Sequence, residues 1–427
     1  MCKIELKYGS TTVEFTLPEK NLLKVITPKK VNKLPNVKEK LLQTLRHPIN
    51  SLPLAESLKK LSLKPHEYIV IILEDITRAN PDYEQLLNIV VEEILSSGIK
   101  KEQIKFIIAS GTHRAQTKEE NIKLYGEYLV NNFEIIQHNP DDKNNLDFIG
   151  ILSTGNRLYI NSLVAKAKFK IGTGNIEPHT FAGYTGGRKC ILPGVAARES
   201  IARNHSMVKR ENVALGRLDA NPIHLEMMEA AHLVRLDFII NFIRTSDTHE
   251  IVDIVCGDME KAFYEGVKKA EEISTVIVDK FADVVITSPG GFPRDINFYQ
   301  SQKALSLAAE IVKPNGGIIL VAECREGVGQ KVFADCLMAA KNINEILNKK
   351  EEEIDVEEHR AYLTAKIFKR NYCISVTSLS ESIVRSLHHE HAATVNDALN
   401  KMKEKYGEDF KAYIIPSSSS ILPKVKT

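Results

Sequence analysis

The sequence has no excess of charge of either sign, few cysteines and no long apolar run. Its 57 Lys and Arg against 55 Asp and Glu leave a net charge of +2. Without a basic or acidic tail, this balance argues against nucleic acid as a partner. None of the six cysteines forms a CxxC pair, which argues against a disulfide framework or a zinc ribbon. No window reaches the roughly 18 uninterrupted apolar residues of a membrane span, and no apolar signal core follows the N-terminus. We therefore expect a reduced, cytoplasmic protein without a membrane partner.

The length and composition are those of a folded protein with more than one domain. The chain has 427 residues, of which 43% are hydrophobic and 26% charged. At about 100–200 residues per domain, two or three domains are expected.

The apolar pattern predicts an α/β fold with mostly parallel sheets. Residues 3–17 alternate apolar and polar side chains around Gly9-Ser10, which predicts a β-hairpin. Short apolar runs, typical of strands buried on both faces, then alternate with helical patterns. The predicted strands are 67–73, 104–109, 133–137, 167–172, 275–279, 283–287, 316–321 and 411–415, the last closing the second sheet, and predicted helices include 83–94 and 301–312. We place one boundary near residue 270, giving an N-terminal α/β domain over 1–270 and a C-terminal α/β domain over 271–427.

Polar side chains follow several of these strands, where open parallel sheets bind their ligands. Asp75 and Arg78 follow the strand 67–73, and His113 follows the strand 104–109. Arg78 could hold a carboxylate or phosphate, or it could be a surface arginine beside an ordinary helix start. A single histidine at a strand end is by itself a weak signal.

The segment 172–194 contains the strongest signal, because it holds six glycines in 23 residues. Glycines let a backbone approach a ligand closely, yet the spacing matches neither GxxxxGK[ST] nor GxGxxG. His179, Arg188 and Lys189 lie within the segment, and His205 follows 16 residues after Lys189. Three histidines in separate loops could form a catalytic metal site, although three of 13 histidines are poor evidence alone.

Two further clusters lie in the second block. Tyr299, Gln300 and Lys303 share one predicted helical turn after the strand 283–287, so they either line a site or form a solvated helix start. The cluster 388–391 contains three histidines, but neighbouring residues on a helix point in different directions, so we interpret it as surface.

Together these segments resemble the lactate racemase family, the nickel-pincer racemases and epimerases of 2-hydroxy acids. The resemblance rests on four separated motifs in the family's order, namely Asp75-x-x-Arg78, Gly111-Thr-His113, Pro178–Lys189 with Leu-Pro-Gly194 and His205, and Tyr299-Gln-x-x-Lys303. It implies two α/β domains with the active site in the cleft between them.

The resemblance also implies a cofactor and a set of roles. The cofactor is nickel held by pyridinium-3,5-bisthiocarboxylic acid mononucleotide, bound covalently to Lys189, with His205 as the protein's nickel ligand. The implied catalytic acid/base residues are His113 and His179; Arg78 and Lys303 bind the substrate carboxylate; Asp75, Tyr299 and Gln300 contact the cofactor or the substrate. The implied partners are a small 2-hydroxy acid, lactate by default, and the proteins that make the cofactor.

The chemistry agrees with these implied roles. Inverting a carbinol carbon requires its hydrogen to leave and to return on the other face, and that C–H is too weak an acid for histidine alone. Removal as hydride, the hard step, falls to a cofactor, while histidines of ordinary pKa about 6.5 handle the hydroxyl proton. Cys190, beside the tether lysine, is expected to be a packing residue.

Three other functions stay open from the sequence. The chain could racemise a larger or dicarboxylic 2-hydroxy acid. It could be a metalloenzyme that uses His113, His179 and His205 directly as ligands, or a non-catalytic protein that binds a hydroxy acid.

Overall fold

The structure is a computed structural model that describes residues 1–78, 80–245, 248–418 and 421–426. The chain divides into two compact units. The first unit combines Met1–Lys30 with Ser274–Thr427, and the second comprises Val31–Ile273.

Strands and helices alternate along most of the chain. The strands are β1 (Cys2–Tyr8), β2 (Thr11–Leu17), β3 (Leu22–Val25), β4 (Ile69–Leu73), β5 (Ile104–Ile108), β6 (Glu134–Gln137), β7 (Leu146–Ile151), β8 (Arg157–Asn161), β9 (Phe169–Asn175), β10 (Pro178–His179), β11 (Gly183–Tyr184), β12 (Phe238–Arg244), β13 (Ile251–Gly257), β14 (Thr275–Val278), β15 (Ala282–Thr287), β16 (Val312–Val321), β17 (Tyr372–Val376), β18 (Glu390–Ala392), β19 (Ala412–Ile415) and β20 (Leu422–Val425). The α-helices are α1 (Val37–Arg46), α2 (Leu54–Lys59), α3 (Tyr83–Ser96), α4 (Lys118–Asn132), α5 (Ser162–Lys166), α6 (Arg198–Ser206), α7 (Pro222–Val234), α8 (Lys261–Ser274), α9 (Phe298–Ala309), α10 (Lys331–Ala339), α11 (Ile343–Leu347), α12 (His359–Arg370), α13 (Glu381–Ser386) and α14 (Val395–Tyr406).

The second unit is built on a six-stranded sheet in the order β13-β12-β9-β4-β5-β6. The strands pair in parallel except for the antiparallel pair β12 and β13. Strand β4, with the sequence IVIIL, is buried at every position, as expected for a parallel strand covered on both faces. Side chains of α1, α2 and α3 join β4, β5, β9 and β12 in one apolar core.

The first unit contains a second six-stranded sheet, in the order β18-β17-β16-β15-β19-β3, with all pairs parallel. Its core includes side chains of the hairpin β1-β2, such as Leu6, Phe15 and Leu17. Strand β14 pairs with β20 outside this sheet.

The α/β class, the hairpin and the predicted strands are confirmed, with shifts of a few residues at their ends. The predicted domain 1–270 is wrong for its first 30 residues, which belong with the C-terminal unit. Strand β19, predicted to close the second sheet, lies between β15 and β3. Both differences arise from β3, a four-residue strand with no distinctive sequence pattern. It pairs with β19 and thereby forms the edge of the sheet. No helix among the described residues combines the length and the apolar character needed to cross a membrane.

Candidate active site

The carboxyl ends of three adjacent strands form the candidate site of the second unit. In the sheet, β4 lies between β9 and β5. The chain proceeds from β4 to β5 and β6 on one side and later returns to β9 and β12 on the other. The crevice between β4 and β9 is therefore the point where the strand order reverses, and such points bind ligands in open α/β sheets.

Asp75, after β4, is paired with His113, after β5. The Nδ1 atom of His113 lies 2.6 Å from Oδ2 of Asp75, and the other carboxylate oxygen accepts hydrogen bonds from the backbone and hydroxyl of Thr77. Burial by itself would raise the pKa of Asp75, but the hydrogen bond and charge of His113 hold that pKa below its usual value. Because a carboxylate only accepts, a neutral His113 carries its proton on Nδ1 and offers a lone pair at Nε2. The His113 side chain is 50% exposed, so this lone pair is available to a ligand.

The loop that carries His113 is tied to the loop that carries Lys189. The backbone N–H of Gly111 donates to the carbonyl of Gly194 at 2.9 Å. Gly111 has a φ of +54°, where a side chain would be strained. These two glycines of the motifs therefore hold the loops together.

Arg78 pairs with a residue that the sequence analysis did not single out. Its guanidinium lies 3.8 Å from the carboxylate of Glu177, with the Arg78 side chain one-third exposed and that of Glu177 half-exposed. Burial raises the pKa of Glu74 and the Arg78 charge opposes that rise, while for Asp75 the Arg78 charge adds to the effect of His113 in holding the pKa down. Arg78 therefore stands among three carboxyl groups at the reversal point of the sheet.

His179, Lys189 and His205 gather around the aromatic ring of Phe181. The imidazoles of His179 and His205 meet this ring edge to face, with centroids 4.5 Å and 4.9 Å away. The ammonium of Lys189 lies 5.8 Å from the ring centroid. The structure thus brings together three of the predicted site residues, the first and last of which lie 26 positions apart in the sequence.

The tautomer of His179 is the reverse of that of His113. Nδ1 of His179 accepts from the backbone N–H groups of Ala182 and Phe181, at 3.3 Å and 3.5 Å. A neutral His179 therefore carries its proton on Nε2. The site presents one imidazole with a lone pair at Nε2 and another with an N–H there.

Arg188 is a structural residue that holds the loop between His179 and Lys189. It is fully buried, and its guanidinium donates to the carbonyls of Ala182, Tyr184, Thr185 and Gly186. A further hydrogen bond goes to Nδ1 of His224, and the guanidinium lies over the ring of Phe263. Burial lowers the pKa of Arg188 to about 9. These donors satisfy carbonyls that a glycine-rich loop would otherwise bury unpaired.

Cys190 packs against the sheet, as predicted. A Cβ atom added to Gly172 on β9 would lie 2.6 Å from the sulfur of Cys190, so the missing side chain at Gly172 makes room for the thiol. Burial raises the pKa of Cys190 to about 12, which keeps the thiol protonated near neutral pH.

His205 lies in the last turn of α6 and is buried. The preceding residue, Asn204, donates to Glu226 at 3.0 Å, and Asn156 donates to the same carboxylate oxygen at 2.9 Å. Glu226 is itself buried, on α7. This carboxylate therefore anchors the helix end that carries His205.

Glu74 occupies the reversal point itself. Its carboxylate accepts from the backbone and side chain of Asn175 at 2.8 Å and 3.1 Å, and from Asn80 at 3.1 Å. Burial raises the pKa of Glu74 to about 7, although Arg78 and the Asn175 N–H oppose the rise. Glu74, Phe181 and Glu177 were not predicted from the sequence, where the one signal for them is that each adjoins or lies inside a motif.

The predicted residues of the first unit follow β15, at the start of α9. Asn297 caps this helix by accepting from the backbone N–H of Gln300. The ammonium of Lys303 donates to the side-chain oxygen of Gln300 at 2.8 Å. The ring of Tyr299 contacts Phe333, with the guanidinium of Arg360 4.6 Å from its centroid. The three side chains share one helix start, as predicted.

The histidine cluster near residue 390 is not entirely at the surface. His389 is buried, stacks between Phe298 and Phe368, and bonds Ser375 at 2.8 Å. Burial lowers its pKa to about 4. The surface interpretation is therefore wrong for His389, because its aromatic neighbours come from two distant helices.

Across the residues that the structure describes, no three His, Cys, Asp or Glu side chains are grouped to hold a metal ion.

Comparison with known proteins gives matches to both units. The model of the lactate racemase N-terminal domain matches residues 8–216, and that of the lactate racemase C-terminal domain matches residues 277–422. A lactate racemase of Thermoanaerobacterium thermosaccharolyticum is 34% identical over 438 residues, covering all of both chains. One of Lactiplantibacillus plantarum is 32% identical, covering 99% of this chain and all of the relative.

Solved structures agree. The lactate racemase apoprotein of T. thermosaccharolyticum superposes with a TM-score of 0.89 at 33% identity, covering 99% of this chain and all of the other. A Thermotoga maritima protein shares the fold with a TM-score of 0.62 at 16% identity, over 93% of this chain and all of the other.

Proposed function

Because the chain belongs to the lactate racemase family and is a racemase, hence an isomerase, we propose that it interconverts the two enantiomers of lactate with a tethered nickel-pincer nucleotide. The observation that carries this proposal is the ring of Phe181, around which His179, Lys189 and His205 meet. This grouping places the amine of Lys189, the buried imidazole of His205 and the proposed acid/base imidazole of His179 around one aromatic ring.

These residues fit the implied cofactor. Lys189 supplies the amine for covalent attachment, and its neighbour Cys190 is a partly buried, protonated thiol that does not compete for the tether. His205 supplies a nitrogen ligand, which suits nickel. Held by Lys189 and His205, the nickel-pincer nucleotide would supply a reversible hydride acceptor for the Cα hydrogen. Only one protein imidazole is needed on the metal, so the proposal requires no three-histidine site.

The chain's own residues manage the hydroxyl proton and the carboxylate. His113, oriented by Asp75, offers Nε2 as the base for a hydroxyl group. His179 offers an N–H at Nε2, so it can donate a hydrogen bond to the substrate oxygen. We assign the two histidines to the hydroxyl positions of the two enantiomers. Arg78 is the proposed partner of the substrate carboxylate.

By the family resemblance we extend the proposal to the first unit. Lys303 would bind the carboxylate, and Tyr299 and Gln300 would contact the cofactor or the substrate. The enzyme would need cofactor-making proteins for its active form. A reducing cytoplasm is in keeping with its six free cysteines.

The proposal is tested by following the Cα hydrogen. Holo-enzyme should racemise lactate in heavy water with the original Cα hydrogen retained, because hydride transfer keeps it apart from the histidine protons. Extensive solvent deuterium at Cα would contradict the mechanism and favour proton abstraction by two bases.

A second arm of the experiment addresses the metal and the alternatives. His205→Ala should lower the nickel content and the racemase activity together while the fold survives, and full nickel retention with full activity would reject the role of His205. Intact mass should show a nucleotide-sized adduct, which a metalloenzyme with only histidine ligands would lack. A binding protein without activity would leave lactate optically unchanged.

A further inference from the structure

Glu177 stands beside the arginine that the proposed function assigns to the substrate carboxylate. We propose that Glu177 is a specificity-determining residue, which restricts the enzyme to 2-hydroxy acids with a single carboxylate and rejects dicarboxylic ones. This inference rests on the proposed role of Arg78. The observation behind it is the ion pair between the two side chains, with a guanidinium nitrogen 3.8 Å from a carboxylate oxygen.

The backbone of Glu177 is held in place by two hydrogen bonds with Thr185. Its N–H donates to the hydroxyl of Thr185 at 3.0 Å, and its carbonyl accepts from the Thr185 N–H at 2.9 Å. Thr185 is buried, and its hydroxyl donates in turn to the carbonyl of Asn175 at 2.7 Å. Strand β10, which begins at the next residue, carries His179. The backbone of Glu177 is therefore a stationary feature beside a proposed catalytic residue.

The local charges determine what this carboxylate does. Arg78 contributes one positive charge, while Asp75 is held as an anion by its partners and Glu177 adds a second negative charge. Glu74 lies close enough for the Arg78 charge to oppose the rise in its pKa that burial causes. A substrate with one carboxylate can compete with Glu177 for Arg78. Glu177 would repel a second carboxylate on the substrate, because the positive charge of Arg78 would already be paired with the first carboxylate.

The size of the effect follows from Coulomb's law. Two like charges about 6 Å apart, at the effective dielectric constant near a protein surface, repel enough to change an equilibrium constant by roughly tenfold to a hundredfold. The methyl group of lactate experiences no such repulsion. Because the pair is partly exposed, its loss costs little stability, so Glu177 can be replaced without unfolding the enzyme.

The test compares lactate with malate, its dicarboxylic analogue, in the holo-enzyme. Glu177→Gln keeps the size and removes the charge. We expect the ratio of kcat/KM for malate to kcat/KM for lactate to rise at least about tenfold, with a lower KM for lactate because Arg78 is released. The matched control is Glu134→Gln, which removes a carboxylate that is 53% exposed and paired with Lys105 at 2.9 Å. Glu134 begins β6, at the amino edge of the same sheet. The malate-to-lactate ratio of kcat/KM measured for Glu134→Gln should therefore stay at the wild-type value.

Two further measurements complete the test. Calorimetric titration of the holo-protein with each acid measures the same preference without turnover. If the protein binds lactate in preference to malate but does not racemise it, the proposed function is rejected and the inference about Glu177 is not. In wild type, raising the salt concentration should weaken the discrimination against malate, because screening reduces charge repulsion. The inference is overturned if wild type takes malate as well as lactate, if Glu177→Gln leaves the ratio within twofold of wild type, or if Glu134→Gln raises it equally.

Discussion

Replacing Glu74 by glutamine should change how the stability of this protein depends on pH. The Glu74 carboxyl lies at the reversal point of the second unit's sheet, bonded to Asn175 and Asn80. A Cβ atom added to Gly174 would lie 2.7 Å from it, so the backbone closes tightly over this carboxyl. Burial, the largest cause, raises its pKa from 4.5 to about 7.

The sign of the effect follows from this direction. A carboxyl with a higher pKa in the folded protein binds its proton more tightly there than in the unfolded chain. Its contribution to stability is complete below the unfolded pKa of 4.5 and is lost as the pH rises to about 7. At about 1.4 kcal/mol per pKa unit, wild type should lose about 3 kcal/mol to this group between about pH 4.5 and about pH 8.

The measurement is urea unfolding of wild type and Glu74→Gln across this pH range. Glutamine has no charge to lose, so the variant should gain about 3 kcal/mol relative to wild type as the pH rises. The amide of glutamine also faces the side-chain donors of Asn175 and Asn80, which lowers the stability of the variant. This loss of stability is the same at every pH and cancels in the comparison. Glu134→Gln controls for the loss of one carboxyl group. A difference between wild type and Glu74→Gln that changes by less than about 1 kcal/mol over the range would refute the reasoning.

Three other replacements have clear expected outcomes. Lys189→Arg keeps the charge but cannot form the same covalent link, so peptide mapping should find no adduct and activity should vanish; an adduct at another residue of an active enzyme would contradict the tether. Asp75→Asn removes the carboxylate that orients His113, so kcat should fall about 10²–10⁴-fold at unchanged nickel content, whereas equal loss of nickel would indicate a role in binding the cofactor. Arg188→Lys cannot satisfy the carbonyls of residues 182, 184, 185 and 186, so thermal unfolding should show a loss of about 2–4 kcal/mol; wild-type stability would show that those hydrogen bonds contribute little.

Much of the fold could be predicted because the burial of a strand or a helix requires a pattern of apolar residues within a short stretch of the sequence. A strand such as β4 is covered on both faces, so its sequence must be apolar throughout. Helix α9 was likewise predicted from its local pattern, although it begins at Phe298 and not at residue 301, because Asn297 caps it. Strand β3 could not be assigned in this way. Two of its four residues, at positions 24 and 25, are exposed, and its place beside β19 depends on a contact between segments almost 390 positions apart.

The site divides in the same manner. Arg78 and His113 were predicted as site residues because they follow strand ends, which is a local property, whereas the role of His205, on α6, came from the family resemblance. The pairing of Asp75 with His113 and the meeting of His179 and His205 at Phe181 required the order of strands in the sheet.

By itself, then, the sequence determined the α/β class, most strands and helices, and the candidate residues of the site, because these depend on short-range patterns of burial, capping and turns. The tertiary structure decided which of those residues become neighbours, which nitrogen of each imidazole carries the proton, and which carboxyl faces Arg78. Hydrogen-bond partners and desolvation come from distant segments brought together by packing, as Glu177 and Arg78 are, 99 positions apart. A linear sequence holds those segments but not the distances between them.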